Sequence, residues 1–167
     1  MASTKTAVCL SLALLAAAFV LSAAAGSFCE TADDKTLCVQ LTKGGKTWAE
    51  AMTNALNGVM DRVEAGKAIA DGVGATLPAE LYPQSKQSIE NTCHEAYENM
   101  IDGIKKSIGF VKSDPYSSLK TYISSTTFSD CTGGLSEFGV NLPQVDDFAN
   151  EIGKLSGTLL AVAQKKA

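Results

Sequence analysis

"IENTCHEAYENMIDGIKKSIGFVKSDP", residues 89–115, is the stretch whose reading decides the fold. Ile89, Cys93, Tyr97, Met100, Ile104, Ile108 and Val111 recur in steps of three and four. That period places them along one face of a helix, so the stretch reads as a long amphipathic helix. Ser113-Asp114-Pro115 ends it, because proline disfavours helical backbone in the residue before it.

The same rhythm flanks this helix on both sides. Upstream, Met52, Leu56, Val59, Val63, Gly66, Ala70 and Val73 form one stripe, read as a single helix that Leu77-Pro78 ends. Gly66 lies on the stripe, where it would let a neighbouring backbone approach closely. Gly58, Gly72 and Gly74 lower the intrinsic helix preference by up to about 1 kcal/mol each, so packing must hold this helix. Downstream, Leu119, Tyr122, Ile123 and Thr126 give the face of a third, shorter helix, stopped by Gly133-Gly134. Pro143 suits a first helical turn. Val145, Phe148, Ile152, Leu155, Leu159 and Val162 make the last stripe, closed by Lys165 and Lys166 in favourable positions for the helix dipole. Four such helices joined by short breaks predict an all-α fold, an antiparallel four-helix bundle.

The first residues have a different character. Lys5 precedes an apolar run from Val8 to Leu21, and small residues follow at Ala23 and Ala25. The run falls short of the roughly 20 residues a membrane span needs. Residues 1–25 therefore read as a secretory signal peptide, and Cys9 leaves with it. The domain that remains is 26–167, with a lead-in over 26–46 and the helices over 47–167. Export makes disulfides the simplest use of its four cysteines, Cys29, Cys38, Cys93 and Cys131. Zinc is the rival use, but no two of them have the close spacing that nucleates a tetrahedral site.

Geometry selects the pairing. If the second and third helices turn back on each other at Asp114-Pro115, Cys93 and Cys131 both lie about 25–32 Å from the turn, nearly level. Cys93–Cys131 then bridges the open end of that hairpin. Cys29–Cys38 is what remains, a small ring in the lead-in.

Composition excludes several functions. The chain has 167 residues, enough for one domain with a real core, and a formal net charge of −4. Nucleic acid is an unsuitable partner, because binding phosphates takes a concentrated basic face that this chain lacks. No second apolar run is long enough for a membrane. Catalytic equipment is also missing, so no cofactor, metal or enzyme activity is expected. His94 is the one histidine; it follows Cys93 and so points away from the stripe. Asp33-Asp34 and Asp146-Asp147 are acid pairs, but neighbouring residues diverge on a helix, so they read as helix-start charges.

Four segments together resemble the plant pectin methylesterase/invertase inhibitor family. "CETADDKTLCVQL" is similar to the opening segment of that family, with its C-x-x-T and later C-x-x-L. "NTCHEAYENMIDGI" is similar to its second-helix C-x-x-x-Y stretch. "YSSLKTYISSTTFSDC" and "LSGTLLAVA" are similar to its third and last helices. Order and cysteine spacing carry the likeness, which covers essentially the whole chain after residue 25.

The resemblance implies a short disulfide-tied N-terminal helical hairpin beside the bundle. Trp48 is expected either against that hairpin or in the core. It also implies a secreted protein of the apoplast or cell wall, with the vacuole as the alternative. Such a protein binds a carbohydrate-active enzyme one-to-one and blocks its cleft. Invertase-directed members resemble one another in a Pro-Lys-Phe turn before the third helix. Here Pro115, Tyr116 and Ser117 stand at those positions: the proline is kept, the aromatic has moved by one and the lysine is gone. That departure favours pectin methylesterase over acid invertase as the target. A secreted module that inhibits nothing is the third reading. Lys112, Asp114, Pro115, Tyr116 and Lys120, at and beside the turn, are the candidate target-binding residues.

Overall fold

The computed structural model describes residues 27–166. The signal-peptide reading of residues 1–25 lies outside the described residues, as do Cys9, Gly26 and Ala167. Among the described residues there is no strand. Seven helices lie wholly within them. These are α1 (Lys35–Thr42), α2 (Trp48–Ala65), α3 (Lys67–Thr76), α4 (Pro83–Ser113), α5 (Ser118–Ser124), α6 (Ser129–Glu137) and α7 (Pro143–Ala163).

Local chemistry sets the helix starts. Asp34 caps α1 by accepting from the Leu37 amide at 2.9 Å. Thr47 and Glu50 form a reciprocal capping box at the start of α2, with both bonds 3.2 Å long. Pro83 and Pro143 occupy the first turns of α4 and α7, where a missing N–H costs nothing. At 31 residues, α4 is about 46 Å long and forms the spine of the molecule. It packs against α2, α3, α5 and α6.

The apolar stripes form the core. Met52, Leu56, Val59, Val63, Ala70 and Val73 are buried, as are Ile89, Cys93, Tyr97, Met100, Ile104 and Val111. Only Ile108 of the second stripe is partly exposed. Every apolar position expected of the last stripe is buried in α7.

Two expected helices are divided. The first is interrupted at Gly66 into α2 and α3. A Cβ on Gly66 would stand 2.2 Å from Cε2 and Cζ of Phe148, so the group that approaches is a ring of α7 and not a backbone. The third expected helix is also two pieces, α5 and α6, separated at 125–128. Here Thr126 is buried, and its carbonyl accepts from Ser156 Oγ of α7 at 2.7 Å. Phe128 fills the gap and meets Phe148 edge-on, with ring centroids 5.1 Å apart. Gly133-Gly134 does not stop the helix; α6 runs through the pair to Glu137. A Cβ on Gly134 would already touch Thr92 Cγ2 of α4 at 3.4 Å. A side chain would fit at both positions, so the pair is not required by a close approach; the packing of α6 on α4 and the Cys131 cross-link outweigh its poor helix preference.

Both disulfides are present, Cys29–Cys38 and Cys93–Cys131. The second joins α4 to α6 with the two Cα atoms 4.3 Å apart. The first lies in the lead-in, which packs on α2 and α7. Cys29, Ala32 and Cys38 belong to the same buried cluster as the helices, so the lead-in is held by burial as well as by its ring.

Candidate functional site

The turn between α4 and α5 is built around Asp114. Its carboxylate accepts from the Ser117 amide at 3.2 Å, the Ser118 amide at 3.2 Å and the Ser118 hydroxyl at 2.7 Å. These bonds, the Ser118 hydroxyl first, hold its carboxyl below the ordinary value of 3.8. Pro115 is buried beneath the turn. Asp114 and Pro115 therefore shape the turn that carries the other candidate contact residues. A bend between packed helices uses polar groups of its own in this way. Lys112 is exposed in the last turn of α4, and Lys120 is half-buried in α5.

Tyr116 is the aromatic that the turn presents, with 58 % of its surface exposed. The Lys166 ammonium lies 4.9 Å from its ring centroid and 5.5 Å from that of Trp48. Trp48 starts α2, and its Nε1–H donates to the Val162 carbonyl near the end of α7 at 2.8 Å. It thus docks on α7 and is only partly buried, packed against the core. Lys165 pairs with Glu30 of the lead-in at 2.7 Å. Four separate parts of the chain therefore meet at one end of the molecule: the lead-in, the start of α2, the α4–α5 turn and residues 165–166. Sequence periodicity did not bring Trp48 and Lys166 to the candidate turn, because it orders residues along helices and not between them.

Beside this end, Phe110 of α4 stacks on Tyr122 of α5 with centroids 5.4 Å apart. Lys106 lies 5.3 Å over the Tyr122 ring and pairs with Asp102 at 2.6 Å. The shared flank of α4 and α5 thus carries aromatic and charged groups held in register.

The other residues singled out by sequence lie elsewhere. His94 is exposed, with Nδ1 3.9 Å from Asp71 of α3. Asp71 also pairs with Lys67, which raises the Lys67 pKa. Asp34 is the cap of α1, and Asp146 sits in the first turn of α7. Asp33 and Asp34 nevertheless share a groove of about 680 Å3 with Asp147, Glu151 and Lys154 of α7. Sequence spacing gives no sign that Asp147 shares a groove with Asp33 and Asp34; its neighbour Asp146 lines a different groove. Among the described residues no group of His, Cys, Asp or Glu is arranged to hold a metal ion, and no helix is long and apolar enough to cross a membrane. Comparison of the chain with protein-family models and with curated proteins finds no match.

Proposed function

We propose that the chain is a secreted protein inhibitor of a plant cell-wall enzyme, a pectin methylesterase, and that it acts by binding one-to-one and covering the active-site cleft. In this reading α2 with α3, α4, α5 with α6, and α7 are the four rods of an antiparallel bundle, and residues 27–46 are its disulfide-tied lead-in. The protein is a binding protein and not an enzyme. It leaves the cell by its signal peptide and works in the apoplast. Its activity needs only a rigid surface, since a blocked cleft requires no chemistry from the blocker.

The observation that carries the reading is the placement of the two disulfides. One closes the lead-in and one ties the long α4 to α6, in the order on which the sequence resemblance rests. Alternating rods would also send the start of the first, the end of the second and the end of the fourth to one end of the molecule. Trp48, Tyr116 and Lys166 meet in that way.

One observation favours acid invertase as a second reading. The lysine missing from the Pro115-Tyr116-Ser117 turn has a spatial counterpart, because the Lys166 ammonium sits over the Tyr116 ring. The test is to add purified protein, lacking residues 1–25, to a pectin methylesterase and to an acid invertase at mildly acidic pH. Dose-dependent loss of esterase activity is expected. Loss of invertase activity alone would select the second reading. No effect on several isoforms of either enzyme would overturn both and leave a non-inhibitory secreted module.

A further inference from the structure

The residues that follow α7 fasten two parts of the chain to its end. Lys165 grips Glu30, and its hydrogen bond and charge hold the Glu30 carboxyl below the ordinary value of 4.5. Lys166 places its ammonium between two rings, 5.5 Å from the Trp48 centroid and 4.9 Å from the Tyr116 centroid. Both distances fall within the roughly 6 Å over which a cation is drawn to an aromatic face. Trp48 is anchored on α7, because its indole N–H donates to the Val162 carbonyl at 2.8 Å and its ring packs against the core. The order is therefore a fixed ring, a lysine, and then an exposed ring on a turn.

A tyrosine alone on a turn loses rotamer freedom when a partner seizes it, and that loss weakens binding. A ring already held against a cation has less freedom left to lose. We infer that Lys166 is a positioning residue for target recognition: it ties Tyr116 to Trp48 and holds the phenol ring in the orientation that the target enzyme meets. The inference rests on the functional reading above, in which Tyr116 faces the target.

Four variants test it: Lys166→Ala, Lys166→Arg, Tyr116→Ala and the double variant Lys166→Ala/Tyr116→Ala. Lys154→Ala serves as a control that removes the same charge from within α7, away from the Tyr116 turn. The first readout needs no target. In the wild-type NMR spectrum the Lys166 side-chain methylenes should be shifted upfield by the two rings, and Tyr116→Ala should relax that shift. The second readout is the inhibition constant against the enzyme that the wild-type protein inhibits. Lys166→Ala should raise it about fivefold, the scale of one cation–π contact. Lys166→Arg should stay within about twofold, since arginine makes the same contact. Lys166→Ala should add nothing on the Tyr116→Ala background, because coupled residues are not additive. Lys154→Ala should change nothing.

An inhibition constant unmoved by Lys166→Ala, or effects of Lys166→Ala and Tyr116→Ala that simply add, would overturn the inference and leave the inhibitor reading standing. A wild-type protein inert toward both enzymes would overturn that reading and the role of Lys166 with it.

Discussion

Replacing Gly66 with alanine tests how the centre of the molecule is packed. Gly66 has φ −76° and ψ −5°, open to any residue, so backbone strain does not enter. Intrinsic preference alone would favour alanine by up to about 1 kcal/mol. Against this, the new methyl would stand 2.2 Å from two atoms of the Phe148 ring and 3.0 Å from a third. The ring has little room to retreat. It is 4 % exposed, and its neighbour Phe128 is 1 % exposed. Overpacking costs about 1–3 kcal/mol, and so close an approach to a buried ring belongs in the upper part of that range, about 2–3 kcal/mol. The clash wins, and Gly66→Ala should destabilise by about 1–2 kcal/mol after the propensity gain is set against it. For a chain of this size that lowers Tm by about 3–8 °C. Urea unfolding followed by helical circular dichroism, with the disulfides intact, measures it. Gly72→Ala is the internal control. A Cβ there meets nothing within 4 Å, and the site lies inside α3, so this variant should gain about 0.5–1 kcal/mol. Phe148→Leu in the Gly66→Ala background should cost less than in the wild type, because the smaller side chain relieves the contact. A Gly66→Ala protein as stable as the wild type would refute the argument, since the nearest atoms that oppose the substitution all belong to the Phe148 ring.

Peptide mapping without reduction should find Cys29 joined to Cys38 and Cys93 to Cys131, and no other cross-link. Replacing each pair with alanine should cost about 3 kcal/mol for the first and about 4 kcal/mol for the second on the chain-entropy estimate, the longer loop losing more, as read from urea midpoints. Ser156→Ala should destabilise by about 1–3 kcal/mol by leaving the buried Thr126 carbonyl unpaired; a neutral result would mean that the break between α5 and α6 is satisfied in another way. Asp114→Asn should lower Tm near neutral pH. The Asp114 carboxyl is held below its ordinary 3.8 in the folded chain, so its stabilisation is present above that value and is lost as pH falls through the folded one. The Tm gap between wild type and variant should therefore close on acidification, and a gap that persists would remove the carboxylate charge from the account.

The apolar stripes were legible in the sequence because burial leaves a periodic record along the chain. Met52 to Val63, Ile89 to Val111 and Val145 to Val162 fall inward largely as their spacing requires. The interruptions were not legible, because each depends on what lies opposite. Nothing near Gly66 in sequence indicates that Phe148, far along the chain, will press on it. Nothing near Thr126 indicates that Ser156 will accept the task of pairing its carbonyl. Gly133-Gly134 failed as a stop signal for the same reason. A glycine pair weakens an isolated helix, but α6 is not isolated: it is cross-linked to α4 at Cys131 and packs along α4 and α7.

The candidate site shows the same division between local and distant information. The sequence located the α4–α5 turn, since a proline after a long amphipathic helix is a local signal. It could not sort the residues there by role. Asp114 uses its carboxylate on the turn and Pro115 is buried, while Lys112 and Tyr116 are exposed and Lys120, like Asp114, is half-exposed. Partners for Tyr116 had to come from the start of α2 and the end of α7, and only the direction of each rod specifies that. Under the proposed alternation the choice is forced. The first rod begins, the second ends and the fourth ends on one side, so any side chains that crowd Tyr116 must come from residues near 48 and near 165. A reversed last rod would instead bring Pro143 and Val145 to the turn and carry Lys166 to the far end. Trp48 could then make no bond to the Val162 carbonyl. In that proposal the indole hydrogen bond and the lysine between two rings share one origin, rod direction, and a target that recognises Tyr116 would read that direction indirectly.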